Sequence, residues 1–176
     1  MARIVPDFPE HHDYHPVMER IAEHPAVQAV EKELRAKGFE PKVVVLPESA
    51  PNAPAAAEQI GCEVGAIANS LVFEADGAPL LVLTSGAHRV DTTKVAADLG
   101  VAKVGRASKE FVYEHTGQRI GGVAPLGHPA PVRTLIDQAL AAYPEVWAAA
   151  GHAHTIFAIT FAELVRVTGG EVVEVN

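Results

Sequence analysis

The sequence predicts a single α/β (α+β) domain in which one mixed β-sheet is flanked by helices. Three observations carry that expectation. Short β-branched runs alternate with amphipathic helical stretches along most of the chain, the interleaving that packs helices onto a sheet. An Asp76-Gly77 pair separates two apolar runs, which is a strong short-range hairpin signal and implies antiparallel pairing. No internal repeat or linker divides the 176 residues, a length that suits one domain with a real core.

Residues 1–14 are rich in Pro and His and lack periodicity, so they are expected to form a loose arm. The arm as a whole is set at residues 1–24 and the domain at 25–176. Pro25 opens a helix to about Lys37, with Val27, Val30 and Leu34 on one face and Gly38 as its stop. Lys42 to Leu46 is a short strand. Asn52 caps a helix with Pro54 in its first turn, ending near Gly61. Ile67–Glu74 and Pro79–Thr84 read as the two strands of the hairpin. Asp91 caps a helix over Thr92–Leu99, and Ser108 caps a shorter one that ends at Gly117. Val132–Ile136, Val146–Ala150 and Thr155–Thr160 are strand candidates. Thr160-Phe-Ala-Glu163 is a capping box for a helix that stops at Gly169-Gly170, and Glu171–Val175 is a last strand.

Composition narrows the function classes. No apolar run approaches the roughly 18 residues of a membrane span, and the N-terminus lacks a signal-peptide core. The single cysteine, Cys62, forms no internal disulfide, which fits a cytoplasmic protein. The net charge of −8 argues against broad nucleic-acid binding. Yet the segment from His88 to Arg119 holds six basic against four acidic residues, a local +2. An anionic partner is expected to dock there, unless the bias is an ordinary mixed-charge surface.

The most informative stretch is Ile120 to His128, with Gly121, Gly122, Pro125, Gly127 and His128 in close succession. Such a cluster marks backbone in use, either as a tight surface turn or as a loop whose N–H groups hold an anion or developing oxyanion. The spacing matches neither G-x-G-x-x-G nor a P-loop. Elsewhere, the His11-His12-Asp13-Tyr14-His15 cluster has no zinc-site spacing, and no metal or cofactor is expected.

Several phrases in fixed order identify a resemblance. They are Ala68-Asn69-Ser70-Leu71-Val72-Phe73, Thr84-Ser85-Gly86-Ala87-His88-Arg89-Val90-Asp91, Gly121-Gly122-Val123-Ala124-Pro125-Leu126-Gly127-His128, and Trp147-Ala148-Ala149-Ala150-Gly151. From about Lys42 to Val175 the chain resembles the YbaK/ProX-type aminoacyl-tRNA deacylases, the prolyl-tRNA-synthetase editing-domain superfamily. The resemblance implies a barrel-like mixed sheet and hydrolysis of the ester joining a wrong amino acid to tRNA. It implies the tRNA acceptor end as partner, with an aminoacyl-tRNA synthetase as a second one. With no synthetase catalytic domain in the sequence, it implies editing in trans.

By the same resemblance Gly122, Gly127 and His128 are candidate catalytic residues of the glycine loop, beside Pro125. Gly86 and Asp91 lie on a strand-to-helix turn, and Gly151 borders the pocket. Ser70, Thr84 and His152 join Pro125, Gly86, Asp91 and Gly151 as candidate substrate-binding residues. Asn69 stands where many members have lysine; it can donate and accept a hydrogen bond but carries no charge. That departure leaves two readings open, a deacylase or a binding module for an aminoacyl or nucleotide group. His128 is either a general acid/base or a ring that pins the loop. Lys94 is a basic candidate on the helix after Asp91, or a solvated helix residue.

Overall fold

The computed structural model describes residues 15–176. The arm 1–14, with His11, His12, Asp13 and Tyr14, lies outside the described residues. Among the described residues, six α-helices and eight strands follow one another. They are α1 (His15–Ala22), α2 (Pro25–Ala36), β1 (Val43–Val45), α3 (Ala53–Ile60), β2 (Ile67–Ala75), β3 (Ala78–Ser85), α4 (Thr92–Leu99), β4 (Val104–Arg106), α5 (Lys109–Thr116), β5 (Arg133–Asp137), β6 (Val146–Ala149), β7 (Thr155–Ile159), α6 (Phe161–Thr168) and β8 (Glu171–Val173).

Local chemistry explains most boundaries. The side chains of Asn52, Asp91, Ser108 and Thr160 each accept the N–H of the residue three positions on, which satisfies an orphan donor at a helix start. The capping box at Thr160 is half made, because the Glu163 carboxylate pairs with Arg166 instead of returning to the cap. The β2–β3 hairpin turns through Asp76 and Gly77, both with positive φ, as a two-residue primed turn requires. Two elements lacked a sequence signal: α1, and the three-residue β4, which pairs with the far end of β2.

All eight strands form one mixed sheet with the path β1-β7-β6-β2-β3-β5-β8, β4 also pairing with β2. The path is open, with β1 and β8 at its ends. Alternating side chains serve both faces. Leu81 and Leu83 of β3 join a core beneath α2, α5 and α6, while Leu80 and Val82 join another that packs on α4. Ile67 and Ile156 face α3 in a third cluster.

One discontinuity positions the candidate site. β3 pairs along the whole of β2, so β6 and β4 must share β2's other edge. β6 pairs there only with Ile67 and Ala68, and β4 only from Phe73 onward. Between them Asn69, Ser70, Leu71 and Val72 have no ladder partner on that edge.

Candidate functional site

A cavity of about 280 Å³ opens at this gap. Asn69 and Ser70 line it from β2. Asn52, Ala53 and Ala56 approach from the start of α3. Ala149 lies where β6 leaves β2, and Ile120, Gly121 and Val123 come from the glycine loop. Leu46, Ile67, Leu71 and Ile156 make much of the remaining wall apolar. Period-two alternation puts Asn69 on the face of Ile67 and Leu71, and Ser70 on the opposite face. The Ser70 Oγ is buried and has no hydrogen-bond partner. A buried hydroxyl without a partner costs free energy, so such an atom calls for a ligand or water. No residue that lines this cavity titrates near neutral pH.

Four side chains hold the glycine loop in shape. Gln118 is 1 % exposed; its amide oxygen accepts the Ala124 N–H at 2.7 Å and its amide N–H donates to the Leu126 carbonyl. Thr116 accepts the Gln118 N–H. The Glu33 carboxylate of α2 accepts the Gly127 N–H at 2.6 Å. His128 Nε2 lies 3.0 Å from the Ala124 carbonyl oxygen, and burial pushes its imidazole below the ordinary histidine value.

These contacts correct the expected roles of two glycines. The Gly127 N–H is committed to a carboxylate, so it is not an available oxyanion donor. The Gly122 N–H is committed to the Arg119 carbonyl. Both are glycine for steric reasons. A Cβ at Gly127 would lie 2.9 Å from the Val30 backbone, and one at Gly122 would lie 2.6 Å from the His152 backbone. The cavity-lining members of the loop whose N–H groups make no hydrogen bond among the described residues are Ile120, Gly121 and Val123. Gly121 belongs to the glycine cluster, whereas Val123 has no feature that singles it out in sequence.

The other candidates scatter. Gly122, Gly151 and His152 line a second cavity of about 460 Å³ that shares Ile120 and Ala153 with the first. Pro125 and His128 line a third, away from Asn69. Thr84 is 1 % exposed, and its hydroxyl donates to Asp137, a buried carboxylate that also accepts the Ser85 N–H and faces His88 Nδ1 at 2.9 Å. Thr84 therefore lines none of the three cavities. Asp91 caps α4, and Lys94 is held by Asp98 and the Glu174 carbonyl. A Cβ at Gly86 would meet the Val64 carbonyl oxygen and the Ala53 side chain, so this glycine lets β3 pass close to α3. Burial raises the Cys62 thiol pKa, the opposite of an activated nucleophile.

Comparison with known proteins agrees with this architecture. The family model for the aminoacyl-tRNA editing domain matches residues 47–167. The uncharacterized protein YwhH of Bacillus subtilis is 33% identical over 110 residues, which covers 62% of this chain and 69% of that protein. Proline–tRNA ligase of Limosilactobacillus fermentum is 37% identical over 90 residues, 48% of this chain but only 16% of the ligase. A crystal structure provisionally described as a trans-editing enzyme for prolyl tRNA synthetase superposes with a TM-score of 0.81 at 40% identity, covering 86% of this chain and 97% of that one.

Proposed function

The chain belongs to the aminoacyl-tRNA editing domain family, and from that membership we propose that it is a trans-acting deacylase that hydrolyses mischarged aminoacyl-tRNA. The observation that carries the reading is the convergence of Asn69, Ser70 and the glycine loop on one largely apolar cavity. A cavity of this size suits a small, mainly apolar aminoacyl group. Its similarity to proline–tRNA ligase and to the trans-editing structure supports tRNA handled by prolyl-tRNA synthetase as the substrate, and that synthetase as the source of the mischarged product.

In this reading water attacks the ester carbonyl carbon. The carbonyl oxygen becomes an oxyanion, which the N–H groups of Gly121 and Val123 stabilise. The tetrahedral intermediate then expels the ribose oxygen, which takes up a proton, and the free amino acid leaves. Asn69 orients the water or a ribose hydroxyl. No covalent enzyme intermediate is needed, since no base stands beside a hydroxyl of the cavity. Discrimination by a single pocket is limited, because one methylene is worth only about 1–3 kcal/mol; this is why a second, hydrolytic site is useful.

A binding module is the second reading. The observation that favours it is the absence of any ionisable side chain at neutral pH from the cavity wall, with Asn69 where the resemblance has lysine. Asn69→Lys, assayed beside the natural protein on mischarged tRNA, separates the two. Deacylation by both proteins supports the enzyme. Deacylation by the lysine variant alone supports the binder.

A further inference from the structure

We propose that the main chain of Ser70 reads the α-amino group of the substrate. Its C=O accepts a hydrogen bond from the α-ammonium, and its N–H donates to the ester carbonyl oxygen. The site then takes aminoacyl esters with a free α-amino group and refuses N-acylated ones. The identity of the ester rests on the deacylase reading, whereas the open main-chain pair does not.

The strand register fixes where that pair points. In an antiparallel ladder, alternate residues turn their N–H and C=O to opposite edges. The Gly86 N–H donates to the Ile67 carbonyl, so Ile67 bonds toward β3, and by alternation so do Asn69 and Leu71. Ala68, Ser70 and Val72 turn to the other edge. There β6 pairs with Ile67 and Ala68, and β4 pairs only from Phe73 onward. Ser70 lies in the gap between them, and neither ladder reaches it.

Ser70 thus lines the cavity through its main chain, since its side chain lies on the face away from Asn69 and its hydroxyl is buried. The N–H and C=O of one edge residue are spaced to meet the C=O and N–H of one facing residue, which is how antiparallel strands pair. An aminoacyl ester carries that set once, an amino group and a carbonyl on one Cα. It fits as a one-residue strand that continues the ladder between β6 and β4. Such main-chain pairing gives affinity, while the pocket around it selects the side chain.

Charge leads to the same atom. An α-ammonium needs an acceptor, and no carboxylate lines the cavity. The Asn52 side-chain oxygen already accepts the Ala55 N–H. The Thr155 hydroxyl accepts the His152 N–H and donates to the His152 carbonyl. Among the described side chains that line the cavity, this leaves the Asn69 amide oxygen as the rival acceptor. A main-chain carbonyl shut away from water and left unpaired costs free energy, so the Ser70 carbonyl gains by taking the ammonium.

The test is calorimetric binding of three non-hydrolysable adenosine analogues to the full chain: 3′-alanylamido-, 3′-propionylamido- and 3′-(N-acetylalanyl)amido-3′-deoxyadenosine. The first has the α-ammonium, the second lacks it, and the third blocks it. The expected result is that the propionyl and N-acetylalanyl analogues each bind about tenfold or more weakly than the alanyl one, the scale of a hydrogen bond to a charged group. The alanyl preference persists in Asn69→Ala. Ser70→Pro, which removes an N–H that no ladder uses, weakens the alanyl and propionyl analogues alike; if that variant does not fold, the series on the natural protein and Asn69→Ala decides alone. Equal affinity for the alanyl and propionyl analogues, loss of the preference in Asn69→Ala, undiminished binding by folded Ser70→Pro, or no binding of any analogue overturns the proposal. Deacylation is a separate readout. Binding in the expected order without release of amino acid from any mischarged tRNA overturns the deacylase reading and leaves the recognition standing. Equal acceleration over buffer for alanyl- and N-acetylalanyl-tRNA overturns the recognition and leaves the deacylase standing.

Discussion

Gly127 cannot take even a methyl group without displacing α2. Its φ is +85°, and a Cβ would sit 2.7 Å from the Val30 side chain and 2.9 Å from its backbone. Gly127→Ala is therefore expected to lose about 1–3 kcal/mol of stability, the range for a strained backbone site and a core overpacked by one methyl. Thermal denaturation checks this; an unchanged melting temperature with lost turnover would return the residue to the chemistry. The contrast with Asn69 and Ser70 shows what single positions reveal. Those two polar residues interrupt an apolar strand, so they stand out in sequence. The roles of Gln118 and Glu33 do not: each fixes the loop through a backbone partner, Glu33 across 94 positions, and no local pattern marks a side chain for that. Thr84 misleads for the same reason, because Asp137, 53 positions later, claims its hydroxyl.

At the scale of elements, helices with a capping side chain and a terminal glycine were legible to within a residue or so, as α3, α4 and α5 show. Their boundary chemistry is local. β4 was not legible, since three residues give no periodicity and its pairing with β2 is a tertiary event. The glycine loop was legible as a place and not as a shape. Its conformation comes from Gln118, Glu33 and His128 acting together, and His128 gives it a pH dependence. Burial is the main cause that lowers this imidazole, against the opposing pull of the Ala124 carbonyl and the Glu33 carboxylate. The unfolded ring titrates near its usual value of about 6.5, so unfolding takes up a proton just below it. The stabilising contribution is present above that value and is lost as pH falls through it toward the lowered folded pKa. The melting temperature should thus drop between pH 7 and pH 5, and His128→Gln should drop less over the same range. Parallel curves for the two proteins would contradict this account of the loop.

Across the whole molecule, the sheet's mixed character and the single domain followed from interleaved patterns, whereas strand order did not. The open edge of β2 depends on where β6 and β4 stop pairing, which no stretch of sequence records. Charge distribution also acts at this scale. Arg106 ends β4, Lys109 begins α5, and Tyr113 of that same helix lines the second cavity, so the basic segment leads toward that cavity. Arg106→Glu with Lys109→Glu should weaken tRNA binding more than Lys32→Glu with Lys42→Glu, two exposed lysines of α2 and the approach to β1. The gap should narrow as salt rises, because phosphate contacts release counterions. Equal losses from the two pairs would remove the electrostatic route.

The central claim is that the Asn69–Ser70 cavity and the loop above it hydrolyse a mischarged aminoacyl ester. Its most direct measurement is the release of amino acid over time from a panel of tRNAs mischarged with small amino acids, by the natural protein and by Asn69→Ala with an unchanged melting temperature. The account predicts that the natural protein releases at least one amino acid faster than buffer, and that Asn69→Ala is at least about tenfold slower, as when a positioning contact worth about 1.4 kcal/mol in the transition state is lost. Release no faster than buffer across the panel, or equal rates for the two proteins, would contradict it.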